Sequence, residues 1–279
     1  SGKTGLSVEL AKKFDAEIIS ADSRQVYKEM DIGTAKITED EMQGVKHHLI
    51  DMVYPNESFN VYNFKNLAEK AILEIHKKAK IPFIVGGTGL YIRAVTDNYL
   101  SENAPPNLEL RKKLEKEASQ YGKEYVWEKL KALDEIEAMK IHPNNLRYVV
   151  RGIERAESRE LRAEKKNKNS VLSSQFSILK LAIDWPREIL YDRINKRVDK
   201  QIEDGLIEET KYLLSKYDRN LPSMSSLGYL QIAKFLNNEM TLDEAKDLLK
   251  KETRHYAKRQ MTWFRKEKEV VSINSEFSH

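Results

Sequence analysis

The run Ile81-Pro82-Phe83-Ile84-Val85 is apolar at every residue and stops at Gly86-Gly87-Thr88-Gly89. A strand with one wet face alternates apolar and polar side chains, so a run without alternation predicts a strand covered on both faces. A helical pattern over residues 61–79, with Leu67, Ala71 and Ile75 on one face, leads into it. Upstream, residues 3–14 carry the helical stripe Leu6, Leu10 and Phe14, and the isoleucine-rich run 17–21 ends at Asp22-Ser23. Helices alternating with such strands predict an α/β fold built on a parallel sheet.

Pro105-Pro106 breaks the alternation, and from residue 108 to about 163 the pattern is helical, with Leu110, Leu114, Val126 and Leu130 as its apolar positions. The charged stretch 159–170 reads as a mobile connection. FSILKLAI at 176–183 returns as a strand, so the helical block is an insertion into the α/β core. The expected organisation is 1–104 as the first part of the core, 105–174 as the helical insertion domain, and 175–279 as the return to the core. A helix is expected from Pro186, a favourable first-turn residue, toward Tyr217 with an interruption at Gly205. Thr241 with Glu244 forms a capping box opening a basic C-terminal helix, and 269–273 is a last strand. No internal repeat is visible.

The chain has 279 residues and no cysteine, which excludes disulfides and a thiolate zinc site. No run approaches the roughly 18 apolar residues of a membrane span, and no secretory signal opens the sequence. These features predict a cytoplasmic protein with no membrane association. A net charge of +4 says little alone, but eight cations against two glutamates crowd residues 250–268. Such an excess on one helix suggests a polyanion nearby.

Gly2-Lys3-Thr4 matches the end of the phosphate-binding pattern G-x-x-x-x-G-K-[ST] and runs straight into a helix. Glycine lets backbone N–H groups approach phosphate oxygens, Lys3 neutralises charge, and the Thr4 hydroxyl can ligate Mg²⁺. The strand that would feed this loop is not in the sequence, so the chain is expected to begin inside an element, about ten residues into a βα unit. Asp22 ends the second strand, where open α/β sheets bind ligands; it could accept a proton, organise a metal, or simply form the turn. His47-His48 point apart on any regular element and do not form a metal pair. Thr88, within a turn whose glycines admit a close ligand, could hydrogen-bond that ligand. In the run 255–265, Lys258, Arg259 and Arg265 suit phosphates, whereas Trp263 and Phe264 suit a protein core as well as a base stack.

The motifs GKT at 2–4, ISADSRQVYKEMDIGTAK at 19–36, HHLID at 47–51, VGGTGLY at 85–91, IHPNN at 141–145, GLIEE at 205–209, LGY at 227–229 and AKRQMTWFR at 257–265 occur in one order along nearly the whole chain. In this the sequence resembles the tRNA dimethylallyltransferase family, in its short bacterial form. The resemblance implies a P-loop-type parallel-sheet core with a helical insertion domain. It also implies transfer of a dimethylallyl group from dimethylallyl diphosphate to the exocyclic amine of the adenosine immediately 3′ of the anticodon. Ser1, Gly2, Lys3 and Thr4 would grip the diphosphate with Mg²⁺, Lys3 and Thr4 aiding its departure. Asp22 would be the general base, and Asp22, Ser23, Arg24, Gln25 and Thr88 would surround the flipped base. The anticodon stem-loop of the tRNA would be held by Asn145, Leu146, Arg147, Tyr148 and Val149; by Ser225, Ser226, Leu227, Gly228, Tyr229 and Leu230; and by Lys258, Arg259, Gln260, Met261, Thr262, Trp263, Phe264 and Arg265. The enzyme is expected to act as a monomer. The sequence departs from the family at 157–160, where Glu-Ser-Arg-Glu stands for a T-G-K turn, and at Ser225, where some relatives are basic. Three rivals remain: an adenylate isopentenyltransferase with a free nucleotide acceptor, a small-molecule P-loop kinase with bound ATP, and a nucleic-acid-binding NTPase without transfer chemistry.

Overall fold

A computed structural model of the chain describes residues 2–97, 107–162, 176–267 and 269–274. Along the chain run α1 (Lys3–Lys13), β1 (Ala16–Ser20), α2 (Glu39–Met42), β2 (His47–His48), α3 (Val61–Lys77), β3 (Ile81–Val85) and α4 (Gly89–Thr96). Then follow α5 (Leu108–Tyr121), α6 (Lys123–Leu133), α7 (Glu135–Ala138) and α8 (Leu146–Arg162). The last part holds β4 (Lys180–Asp184), α9 (Arg187–Glu203), α10 (Leu206–Lys216), α11 (Tyr229–Leu236), α12 (Leu242–Phe264) and β5 (Val270–Asn274). Two compact units result: Ser1–Asp97 with Phe176–His279, and Asn98–Gln175.

In the larger unit β1 is central to a parallel sheet of order β2-β1-β3, paired with β3 from Ala16↔Ile81 to Ser20↔Val85. All five β1 residues are buried, as its apolar run requires. The β3 run, expected to be covered on both faces, is less buried than that: it lies at the edge of this sheet, and Ile81 is 46% exposed. β4 and β5 form a separate parallel pair, Lys180↔Val270 to Asp184↔Asn274. β4 starts four residues later than the apolar run suggests, and Phe176 instead stacks on His76 at 4.4 Å between ring centres. One core cluster joins α1 to β1 through Val8, Ala11, Ala16 and Ile18. A larger one packs Val26 and Met30, after β1, against Val198, Leu206, Leu213, Tyr229, Ile232 and Leu249 of α9 to α12. The helical stretch after Pro186 divides at Gly205, whose φ of 104° is left-handed, and Thr241 and Glu244 form the expected reciprocal cap of α12.

Among the described residues the helical unit holds four helices where the sequence pattern gave one continuous block. Gly122 (φ 91°) ends α5, and the Asp134 carboxylate caps α7 by accepting from the Glu137 N–H. Leu114, Val126, Leu130, Val149, Val150 and Ile153 form its core. Beside them Glu154, 3% exposed, accepts from Arg111 Nε (2.7 Å) and Nη2 (2.8 Å), Arg151 Nη1 (2.9 Å) and the Asn107 N–H (2.8 Å). Burial pushes this carboxyl up, but those donors outweigh burial and hold it below the usual glutamate range. Pro105-Pro106 and residues 163–170 of the predicted connection lie outside the described residues.

Candidate active site

The phosphate end is built by the first turn of α1. Gly2 enters the helix with φ 78°, a conformation costly for a residue with a β-carbon, and no acidic side chain occupies the first turn. The opening N–H groups and the positive end of the helix dipole are therefore left for an anion. Lys3 has no hydrogen-bond or ion-pair partner among the described residues. It is partly buried and still reached by solvent. Burial lowers its pKa; the Asp22 charge opposes that, and Arg197 adds to it. A lysine in this state gains from an arriving anion, which restores the field its ammonium lacks. The chain returns here at the start of α9: a β-carbon on Gly2 would lie 3.5 Å from the Trp185 ring and 3.7 Å from Arg193 Nη1. The Arg193 guanidinium stacks 3.7 Å from the Trp185 ring centre, which fixes its plane while leaving its N–H edge to donate. Burial also lowers Arg197. Three cations thus converge on the start of α1.

Asp22 follows the carboxyl end of β1. Its Oδ1 accepts from the Arg24 N–H (2.8 Å) and the Gln25 N–H (3.4 Å), closing a tight turn, whereas Oδ2 has no protein partner among the described residues. Asp22 is thus both the turn-former and a carboxylate with one free oxygen. The adjoining strand end is held very close. Ala21 donates to the Val85 carbonyl (2.8 Å) and accepts from the Thr88 N–H (3.1 Å), and a β-carbon on Gly86 would stand 2.1 Å from the Ala21 oxygen. Thr88 Oγ1 in turn accepts from the Ser23 N–H at 3.0 Å. Gln25 is fixed from both ends, accepting from Ser20 Oγ (3.2 Å) and donating to the Ala35 carbonyl (3.1 Å). Arg24 donates to the Pro222 carbonyl at 2.8 Å, tying this turn to the segment before Ser225.

The C-terminal half of α12 lies along the same strand ends. Gln260 donates to the Gly87 carbonyl at 2.9 Å, and the Trp263 indole packs against Gly89. Tyr256 joins them: burial raises its phenol and the Asp22 charge raises it further, with hydrogen bonds to Gln260 and Thr88 partly offsetting the rise. Lys258, Arg259, Thr262 and Arg265 are exposed, Trp263 is 38% exposed, and Met261 and Phe264 are partly buried. In the segment 225–230, Ser225 and Leu230 are exposed and Leu227 is partly buried. Ser226, Gly228 and Tyr229 are buried, so they shape that surface and do not present side chains on it. In the helical unit, Asn145 opens α8 by accepting from the Tyr148 and Val149 N–H groups, and Arg147 and Tyr148 are exposed. Leu146 is partly buried, and Val149 is wholly buried in the core and presents no side chain at the surface.

Ser1 lies outside the described residues. Sequence reasoning missed Trp185, Arg193, Arg197 and Tyr256 as members of the crevice. The first three sit more than 180 positions from Lys3: Trp185 lies just before α9, and Arg193 and Arg197 are on that helix, whose charges look like an ordinary wet face. Among the described residues no group of three His, Cys, Asp or Glu could cage a metal. The Thr4 hydroxyl makes no hydrogen bond among them. This donor set fits magnesium shared between a protein hydroxyl and bound phosphates, the usual manner for that ion. A hollow of about 200 Å³ lies at the opposite end of β1 among Lys12, Asp15, Glu17, Gln43, Lys46 and Lys80. It is remote from the glycine turn and from Asp22.

Residues 25–267 match the family described as IPP transferase. The chain is 48% identical to the tRNA dimethylallyltransferase of Acetivibrio thermocellus, over 99% of this chain and 89% of that protein. It is 47% identical to that of Halothermothrix orenii, over 98% and 84%. Among solved structures, the full-length tRNA isopentenylpyrophosphate transferase of Bacillus halodurans superposes with a TM-score of 0.71 at 42% identity, covering 98% of this chain and 86% of that one. A eukaryotic dimethylallyltransferase acting on tRNA superposes with a TM-score of 0.80 at 27% identity, covering 98% and 71%. The cationic turn, the strand-end carboxylate and these likenesses agree, and the chain belongs to the IPP transferase family.

Proposed function

We propose that this protein is a tRNA dimethylallyltransferase, moving a dimethylallyl group from its diphosphate to the exocyclic amine of the adenosine immediately 3′ of the anticodon. The observation that carries this reading is that the cationic first turn of α1 lies within the field of Asp22, whose Oδ2 has no protein partner among the described residues. The allylic C–O bond breaks with its electron pair leaving on the diphosphate. The α1 N–H groups, Lys3, Arg193 and Arg197 stabilise that growing charge, and in a partly desolvated crevice such stabilisation is the largest contribution to rate. The amine lone pair forms the new C–N bond, the nitrogen becomes acidic, and Asp22 Oδ2 takes its proton. Magnesium, held by Thr4 and the diphosphate, would supply further neutralisation of the leaving group.

A base reaches such a crevice only when out of its stack, which a single-stranded anticodon loop permits at little cost. Ser23, Gln25 and Thr88 offer it polar contacts at the strand ends, and Lys258, Arg259 and Arg265 offer cations to the backbone. A tRNA substrate goes with a cytoplasmic enzyme; among the described residues no helix is long and apolar enough to cross a membrane. The test is to incubate the protein with labelled dimethylallyl diphosphate and bulk tRNA, digest the RNA and identify the labelled nucleoside. Label on N6-modified adenosine is expected. Label on free AMP alone, or ATP consumption without prenyl transfer, would overturn the reading.

A further inference from the structure

Three consecutive backbone N–H groups after β1 converge on one side chain from a distant helix. The N–H groups of Asp31 and Ile32 donate to Glu209 Oε2 at 3.0 and 2.9 Å, and that of Gly33 donates to Oε1 at 3.0 Å. The Tyr229 hydroxyl donates to the same Oε1 at 2.6 Å. Successive N–H groups curled in this way form an anion-binding nest, and here its occupant is a carboxylate of the chain itself. The arrangement is tight: a β-carbon on Gly33 would fall 2.4 Å from the Tyr229 ring. Gln201 completes the clamp, its Nε2 donating to the Ile32 carbonyl at 2.6 Å and the Gly33 carbonyl at 3.2 Å. From the other side Lys36 Nζ donates to the Tyr27 carbonyl (2.8 Å), to Asp31 and to Asp51.

The clamped loop is the support of the crevice. The carbonyls next along it, those of Thr34 and Ala35, receive Gln25 Nε2 at 3.5 and 3.1 Å. The Gln25 N–H donates to Asp22 Oδ1. A continuous set of hydrogen bonds thus runs from Glu209 through residues 31–35 and Gln25 to the carboxylate at the strand end. None of these bonds touches the first turn of α1.

We propose that Glu209 is a positioning residue for prenyl transfer: its carboxylate, seated in the nest of residues 31–33, fixes the loop that holds Gln25 and so orients Asp22 toward the acceptor amine. This rests on the transferase reading above. Removing the carboxylate loosens the acceptor side and spares the phosphate side. The expected signature is a lower kcat with an unchanged KM for the donor.

The test compares wild type, Glu209→Gln and Tyr229→Phe for transfer from dimethylallyl diphosphate to tRNA, with thermal unfolding in parallel. Glu209→Gln keeps one oxygen for part of the nest and sets an amide N–H₂ against the N–H donors at its other end, and we expect kcat to fall about 10- to 100-fold, the effect of misplacing a group by about 1 Å. The donor KM should stay within about threefold, since donor contacts lie elsewhere. Tyr229→Phe removes one donor only and should lower kcat severalfold with the same split. Glu209→Ala opens the nest, so added acetate should restore part of its kcat where equal chloride does not. A folded Glu209→Gln enzyme with wild-type kcat, or one whose loss lies in donor KM, overturns the proposal. If Glu209→Gln shows no cooperative unfolding, Tyr229→Phe decides, and a wild-type kcat there overturns it too. Absence of transfer by the wild-type enzyme would instead sink the transferase reading, so the two failures are distinct.

Discussion

Gly86→Ala is the smallest change that should separate the two strand ends framing the crevice. The added methyl would stand 2.1 Å from the Ala21 oxygen, 2.4 Å from its carbon and 2.8 Å from its Cα. These are backbone atoms, so no rotamer change relieves the clash. Reaching ordinary contact at 3.4 Å requires the strand ends to part by about 1.3 Å. Over-packing of this kind costs about 1–3 kcal/mol. The parting also strains the bonds from Ala21 to Val85 and from Thr88 to Ala21, each contributing about 1 kcal/mol. A loss of about 2–4 kcal/mol follows, or a fall in Tm of roughly 5–15 °C for a unit of this size. Thr88 holds the Ser23 N–H next to Asp22, so the displacement reaches the acceptor side and should lower single-turnover prenyl transfer about 100-fold. Gly5→Ala is the control: nothing lies within 4 Å of its β-carbon, and a helical alanine should add about 0.5–1 kcal/mol of stability. Differential scanning calorimetry and quenched-flow transfer read both effects. Wild-type Tm and rate in Gly86→Ala would refute the account of the strand ends.

Arg193→Ala and Arg197→Ala should each raise the KM for dimethylallyl diphosphate about 10-fold or more, the worth of one charge-assisted hydrogen bond, with tRNA affinity unchanged; equal loss of both affinities would contradict their assignment to the phosphate end. Replacing Lys258, Arg259 and Arg265 together by glutamine should weaken tRNA binding and reduce the slope of log K against log salt by about 2 to 3; filter binding across a salt series showing an unaltered slope would remove them from the RNA interface. Glu154→Ala should destabilise the helical unit by about 3 kcal/mol, because it strands the Arg111 guanidinium beside a buried site. The Glu154 carboxyl titrates below its usual 4.5 in the folded chain, so its contribution is present above that pH and is lost as the pH falls through the folded value. Hydrogen exchange over residues 107–158 should therefore show acid sensitivity in the wild type that is blunted in Glu154→Ala.

Local signals made much of this molecule readable. The apolar run before Asp22 is a buried strand with the acid at its end, and Thr241 with Glu244, Gly205 and the turn at Gly86 act where their chemistry predicts. What was not readable depended on partners far along the chain. The helical pattern over 108–163 did not reveal its breaks, because Asp134 acts as a cap only once Glu137 turns its N–H toward it. Short elements such as β2 and α2 are fixed by their neighbours more than by their own residues; His48, for instance, is held by Glu17 at 2.7 Å. Arg193 and Arg197 look like the solvated face of an amphipathic helix until α9 is laid beside α1. Glu209 has the same difficulty in reverse, since GLIEE was visible as a motif while the loop that binds it lies more than 170 residues upstream. Even inside the motifs, type and role diverge. Val149 and Tyr229 are fully buried although they stand in segments that also expose Arg147, Tyr148, Ser225 and Leu230.

The most direct trial of the central claim is the single-turnover rate of Asp22→Asn with saturating dimethylallyl diphosphate and tRNA, alongside its tRNA affinity. Asparagine keeps an Oδ1 to accept from the Arg24 and Gln25 N–H groups, so the turn survives, while the oxygen that would take the proton is replaced by an amide nitrogen. The account predicts a rate lower by about 10²- to 10⁴-fold with tRNA bound as before. A rate near that of the wild type would contradict it.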